Sequence, residues 1–172
     1  MTPVEFVLIG LGANLEHPVH GSPKSTLEAA LAQLETLGPR LIRRSRWYRS
    51  APVPASGQPW FINGVAALQT ELDAPGFLAL LHRVEADFGR RRGIRNAART
   101  LDLDLLDFRG QVTAADQVPR LPHPRLCERA FVLLPLREVA ADWRHPASGQ
   151  GLAELIAALP PGQTAEVLSE ST

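Results

Sequence analysis

Three observations predict an α+β fold for this chain of 172 residues. At four places apolar residues alternate with polar ones or run unbroken to a turn residue, the pattern of strands. In two intervening stretches they recur at three- and four-residue spacing, the pattern of amphipathic helices. The resulting order of strand, helix, strand, strand, helix, strand is the split βαβ arrangement of a ferredoxin-like sandwich with an antiparallel sheet, and additional elements follow it toward the C-terminus.

Glu5 to Gly12 is apolar and ends in glycine, a buried strand. Gly10-Leu11-Gly12-Ala13-Asn14 lacks the third glycine of a dinucleotide fingerprint and reads as the turn that ends this strand. Ser25-Thr26-Leu27-Glu28 has the form of a capping box. Leu27, Ala30, Leu31, Leu34 and Leu37 then form one helical face that stops at Gly38-Pro39. Leu41 to Ser50 and Phe61 to Leu72 read as strands. Between them, Pro52, Pro54 and Pro59 fix too many φ angles for either regular structure, so this stretch is a loop. A second helix begins at Asp73-Ala74-Pro75, carries Phe77, Leu78, Leu81, Val84 and Phe88 on one face, and ends at Gly89.

Leu101 to Phe108 reads as the fourth strand, Arg109-Gly110 as a turn, and Val112-Thr113 as the start of a short edge strand. Leu126 to Val139 is expected to be helical with a break near Pro135. Leu152, Leu155, Ile156 and Leu159 repeat at helical spacing until Pro160-Pro161-Gly162. The polar residues from about 162 onward are expected to fray.

One domain spanning 1–172, with its core between about 5 and 160, is expected at this length, which buries roughly 70% of the surface of the unfolded chain. The 18 basic and 18 acidic residues cancel, which argues against nucleic acid as a partner. A membrane is not expected either: no apolar run approaches ~20 residues, and Met1-Thr2-Pro3-Val4-Glu5 is unlike a signal peptide. The single Cys127 rules out an internal disulfide and is compatible with a cytoplasmic location. A monomer is the expected state.

The chemistry concentrates around Thr100-Leu101-Asp102-Leu103-Asp104-Leu105-Leu106. In a strand, Leu101, Leu103 and Leu105 enter the core, so Asp102 and Asp104 project together from the other face. Arg90, Arg91, Arg92, Arg95 and Arg99 precede them in a stretch bounded by Gly89 and containing Gly93, the composition of a mobile loop that closes on a small polyanion. Paired carboxylates can hold Mg²⁺ together with substrate phosphates, and arginine forks match phosphate, so the two features together suggest phosphoryl transfer. Taken alone, Asp-x-Asp is equally a strand with a solvated acidic face. The P-loop sequence is absent, so any ATP must be held by arginines and metal. His17 and His20 have the spacing of helical metal ligands, but Pro18 argues against a helix there and they read as solvated loop histidines.

Seven segments in register resemble 6-hydroxymethyl-7,8-dihydropterin pyrophosphokinase of folate biosynthesis. They are Gly12-Ala13-Asn14-Leu15, Ser45-Arg46-Trp47-Tyr48, Gln58-Pro59-Trp60-Phe61-Ile62-Asn63, Glu85 with Gly89-Arg90-x-Arg92, Arg99 to Leu105, Leu121-Pro122-His123-Pro124-Arg125, and Arg129-x-Phe131-Val132-Leu133-x-Pro135-Leu136. The resemblance, from about residue 7 to about 160, implies the same α+β core and the transfer of diphosphate from ATP to a reduced pterin, releasing AMP. It further implies that Asp102 and Asp104 hold two Mg²⁺ ions. Arg90 and Arg99 would bind the transferring group, Arg92, His123 and Arg129 other ATP phosphates, and His82 and Glu85 the nucleotide. Phe61 and Phe131 would stack on the pterin, Asn63 would hydrogen-bond its edge, and Ser50, Ala51 and Val53 would wall the site.

By themselves Phe61 and Phe131 are as readily ordinary core, whereas an amide in a strand, Asn63, needs polar partners that a ligand could supply. The chain departs from the family at Asn96-Ala97-Ala98-Arg99, where many relatives have Trp-x-Pro-Arg. The segment from Gly89 to Ala98 is therefore expected to stay mobile without ligands and to close through Arg90, Arg92 and Arg95 on phosphate. Two other readings remain at this point: a single-strand RNA-binding module, which a strand-borne aromatic platform would favour, and a metal-dependent nuclease or nucleotide hydrolase.

Overall fold

The computed structural model describes residues 6–89 and 100–169. Its core follows the order β1 (Val7–Ala13), α1 (Pro23–Thr36), β2 (Arg40–Arg44), β3 (Tyr48–Ser50), β4 (Phe61–Gln69), α2 (Ala74–Asp87) and β5 (Asp102–Phe108). A 3₁₀ turn (Leu126–Glu128), α3 (Ala130–Val139), α4 (Leu152–Ala157) and β6 (Ala165–Val167) complete it. The sheet order is β5-β1-β4-β3-β6, β2 also pairs with β4, and every pairing is antiparallel. This is the α+β, ferredoxin-like arrangement that the sequence predicts. Among the described residues no helix is long and apolar enough to cross a membrane.

Alternation along each strand supplies two cores. Val7, Ile9 and Leu11 of β1, with Leu103, Leu105 and Phe108 of β5, pack against Leu27, Leu31 and Leu34 of α1 and Phe77, Leu81 and Val84 of α2. The opposite face buries Leu8, Val65, Ala67 and Leu106 against Leu133 and Leu136 of α3 and Leu152 and Leu155 of α4. The β1–β5 register shifts between Leu8 and Ile9, and this bulge returns Phe108 to the same core as Leu105, three residues before it, while Leu106 serves the opposite one. Asp107 is buried beside the bulge, accepting hydrogen bonds from Trp143 Nε1 at 2.6 Å and from the Gly110 N–H at 2.8 Å. Burial raises its carboxyl above the usual range while those donors pull the other way, so the pair pins the turn after β5 to the segment that follows α3.

Several expectations need correction. The cap of α1 is Ser22, whose Oγ accepts the Ser25 N–H at 3.2 Å, with Pro23 opening the helix; the capping box expected at Ser25 lies one turn too late. Gly12 is not in a turn but inside β1. The strand expected from Leu41 to Ser50 is two strands, because Ser45 and Trp47 turn inward: Ser45 Oγ takes the Val65 N–H at 3.0 Å, and Trp47 lies over Gly64. Val112 and Thr113 join no strand among the described residues; Thr113 hydrogen-bonds Pro119 and Leu121 in a closed loop. The helical break falls at Arg129, which is extended (φ −119, ψ 112), and α3 runs through buried Pro135 to Val139. Pro135 removes only a bond to the first turn, and the burial of its neighbours on the sheet outweighs that loss. Residues 165–167 do not fray but pair with β3.

The break between β2 and β3 makes a stability prediction. A Cβ on Gly64 would stand 2.6 Å from Trp47 Cζ3, whereas one on Gly10 would meet Leu106 at an ordinary 3.6 Å. Gly64→Ala should lower the unfolding free energy by ~1–3 kcal/mol through overpacking, and Gly10→Ala by much less, as read from urea denaturation of each variant. Equal stability of the two variants would show that Trp47 does not depend on Gly64.

Candidate active site

The site occupies the half of the second sheet face that α3 and α4 leave open. Antiparallel pairing sets Asn63 opposite Gly12 and Gly12 opposite Asp102, so the three form one row across β4, β1 and β5. One repeat along the strands, Gly10 stands opposite Asp104. Because period-2 alternation sends these residues to one face, the two carboxylates on one side and Asn63 on the other border a strip of β1 that carries no side chains on that face. Asn63 is buried; Ser50 donates its hydroxyl to Asn63 Oδ1, which turns Nδ2 toward Gly12.

Over this row lies a cleft of about 270 Å³ lined by Gly12, Ala51, Val53, Phe61, Asn63, Asp102, Arg129 and Phe131, together with Pro52, Pro54, Ser56 and Gln58. Five of the six residues expected to hold a pterin therefore share one cavity, and the sixth, Ser50, lies behind it as the partner of Asn63. Asn14 anchors the outer wall, its Nδ2 donating to Gln58 Oε1 and to the Pro59 carbonyl, each at 3.1 Å.

A second cleft of about 300 Å³ runs along the outer edge of β5, where His82, Glu85, Asp104, Arg120 and His123 supply its polar lining. Glu85 is buried on α2 and its Oε2 accepts the Leu103 N–H at 2.9 Å, so it also satisfies a donor on the sheet edge. Arg129 joins the two clefts: it lines the first, its Nη1 is 3.7 Å from Asp104 Oδ2, and its guanidinium sits 5.5 Å from the Phe131 ring centroid. Arg90, Arg92, Arg95 and Arg99, and the loop closure expected of them, lie outside the described residues.

His123 is held neutral. Burial and the positive charge of Arg129 push its imidazole down to about 4, against a smaller opposing pull from Asp102. Nδ1 accepts the Arg125 N–H at 3.1 Å, so the proton resides on Nε2 and the ring offers one neutral donor. His17 and His20 instead pack on Phe88: the His20 ring stacks on it at 4.7 Å, while His17 Nε2 is 3.1 Å from the Phe88 carbonyl and Nδ1 accepts two backbone N–H groups. Both nitrogens of His17 are engaged, which leaves it no lone pair for a metal.

Sequence reasoning missed Gly12 as the floor of the site and Gln58 and Arg120 as cleft residues. For Gly12 the signal existed, since Gly10 and Gly12 alternate with Ile9, Leu11 and Ala13 and so share the polar face.

The depressed His123 predicts a pH dependence. Its folded value lies below the ordinary one, so the unfolded state takes up the proton first. Stability is then complete above about 6.5 and falls as pH drops toward about 4, by at most roughly 3 kcal/mol. Denaturation at a series of pH values should show His123→Gln losing less stability over that interval than wild type. Parallel curves would place the histidine in water.

Comparison with known proteins identifies relatives of the chain. Residues 8–141 match the family described as 7,8-dihydro-6-hydroxymethylpterin-pyrophosphokinase. The chain is 42% identical to the 2-amino-4-hydroxy-6-hydroxymethyldihydropteridine pyrophosphokinase of Pseudomonas aeruginosa over 91% of its own length and 93% of that protein. To the enzymes of the same name from Synechocystis and Haemophilus influenzae it is 39% and 37% identical, covering 80% and 89% of their lengths and 91% and 86% of its own. The chain belongs to the 7,8-dihydro-6-hydroxymethylpterin-pyrophosphokinase family.

Proposed function

We propose that this protein transfers the β,γ-diphosphate of ATP to the hydroxymethyl oxygen of 6-hydroxymethyl-7,8-dihydropterin, giving the pterin diphosphate and AMP, in folate biosynthesis. One observation carries the reading: an aromatic, amide-lined cleft and a polar cleft meet at Asp102, Asp104 and Arg129. A flat heterocycle between Phe61 and Phe131, with its edge on Asn63, directs its substituent toward the junction. The hydroxyl oxygen attacks the β-phosphorus, the bond to the α-phosphate oxygen breaks, AMP leaves with that oxygen, and the hydroxyl proton is released.

The chain's own part is positioning and charge. His82 and Glu85 sit where they can hold the nucleotide, and Nε2 of His123 and the guanidinium of Arg129 where they can donate to phosphate oxygens. Arg90, Arg92 and Arg99 are proposed as further phosphate ligands on sequence grounds. Asp102 and Asp104 suit Mg²⁺: they are oxygen donors on one face, and no trio of His, Cys, Asp or Glu among the described residues could hold a metal, so phosphate would complete the coordination. Two such ions, bound with ATP, would neutralise the transferring oxygens. Both clefts are built from one chain, which supports action as a monomer, and the single Cys127 suits a reducing cytoplasm.

The deciding assay mixes protein, ATP, Mg²⁺ and 6-hydroxymethyl-7,8-dihydropterin and separates the nucleotides. AMP formation that requires pterin is expected; ADP, no turnover, or turnover without pterin would overturn the reading. In the same assay Asp102→Ala and Asp104→Ala should each reduce kcat by at least ~10²-fold, since a charge-holding group worth ~3 kcal/mol or more is removed. Wild-type kcat in either variant would make that residue a solvated face.

A further inference from the structure

The two walls of the first cleft are tied together by a dipeptide remote from both in sequence. Arg129 and Phe131 reach the cleft from the start of α3, a helix that its cap residue, Arg129, does not cap with its side chain. Gln163 provides the missing bond. Its Oε1 accepts the Ala130 N–H at 2.9 Å, and its Nε2 donates to the Glu128 carbonyl at 2.7 Å, so one amide brackets Arg129 on both sides. One partner is a donor and the other an acceptor, which fixes the orientation of the amide.

The next residue grips the opposite wall, the Thr164 carbonyl accepting the Ala51 N–H at 3.2 Å. β6 then continues along β3 and sets Ala165 opposite Ser50, the residue that holds Asn63. Gln163 lies beyond the residues that match the family description, which end at 141.

We propose that Gln163 is a positioning residue for pterin binding: with Thr164 it sets the spacing between the Ala51 wall and the Arg129–Phe131 wall. The proposal rests on reading this cleft as the pterin site. Without the amide, the first N–H of α3 and the Glu128 carbonyl lose their partners, the start of the helix loosens, and Phe131 no longer stands at a fixed distance from the proline loop. His82 and Glu85, in the second cleft, come from α2 and do not depend on this contact.

Gln163→Met keeps side-chain length and loses both bonds, while Gln163→Glu restores an acceptor for the Ala130 N–H. The measurements are the Kd of 6-hydroxymethyl-7,8-dihydropterin in the presence of a non-hydrolysable ATP analogue, the Kd of the analogue alone, kcat at saturating pterin, and Tm. Gln163→Met should weaken pterin binding roughly fivefold to tenfold and lower analogue affinity and kcat by a clearly smaller factor, because Arg129 also shifts while His82 and Glu85 do not; Gln163→Glu should recover part of the loss. Unchanged pterin affinity in Gln163→Met, equal losses for both ligands together with a lower Tm, or failure of both variants to fold would overturn the proposal. Wild-type protein that binds no pterin would instead overturn the functional reading on which it rests.

Discussion

β1 pairs with two strands at once, and the register of those pairings decides where every polar group of the site stands. Gly12 lies between Asn63 and Asp102, and Gly10 faces Asp104, because the ladders to β4 and β5 are aligned in that way. A slip of one residue in β5 would carry both carboxylates into the core against α1 and α2 and bring Leu103 out. That slip is opposed by buried Leu101, Leu103, Leu105 and Phe108 on one face and Leu106 on the other. The apolar residues thus place the acidic ones, and the bulge opposite Leu8 and Ile9 lets Phe108 anchor the end of the strand in the first core while Asp102 and Asp104 stay on the second face.

Two clefts that meet along one strand suit a transfer between two bound substrates. Asp102 borders one and Asp104 the other, and Arg129 lines the first while contacting Asp104. A positive group across the junction reduces the repulsion between the two carboxylates before any ligand is bound, and offers a donor where phosphate charge would gather. The neutral His123 serves the same end, since a buried ring that carries no charge donates a hydrogen bond without the cost of desolvating an imidazolium.

The parts of this arrangement legible in the sequence were those governed by local rules. Leucines alternating with aspartates over Leu101 to Leu106 set the faces of β5, and Asp73 before Ala74-Pro75 marked the start of α2, where its Oδ1 accepts the Gly76 N–H at 2.8 Å. What was not legible depends on partners distant in the chain. Nothing local shows that Trp47 needs Gly64 beneath it, so β2 and β3 read as one strand. β6 is three residues with no buried apolar side chain; it forms because β3 offers an open edge, which no pattern within Gln163 to Val167 reveals. Glu85, which the resemblance assigns to the nucleotide, accepts a backbone N–H of β5, a contact with no local signal. The alternation of Gly10 and Gly12 marks a bare strip on β1, but its place between Asn63 and Asp102 emerges only once the register is known.

If this strip admits a flat ring between Asn63 and Asp102, Gly12→Ala should close it. A Cβ there would stand 3.1 Å from Asn63 Nδ2, on the floor of the first cleft, with no other side-chain atom of the described residues within 4 Å. The measurement is the Kd of 6-hydroxymethyl-7,8-dihydropterin beside that of an ATP analogue. The methyl should weaken pterin binding by roughly tenfold or more and leave analogue affinity close to wild type. Wild-type pterin affinity in Gly12→Ala would contradict it and move the ring elsewhere.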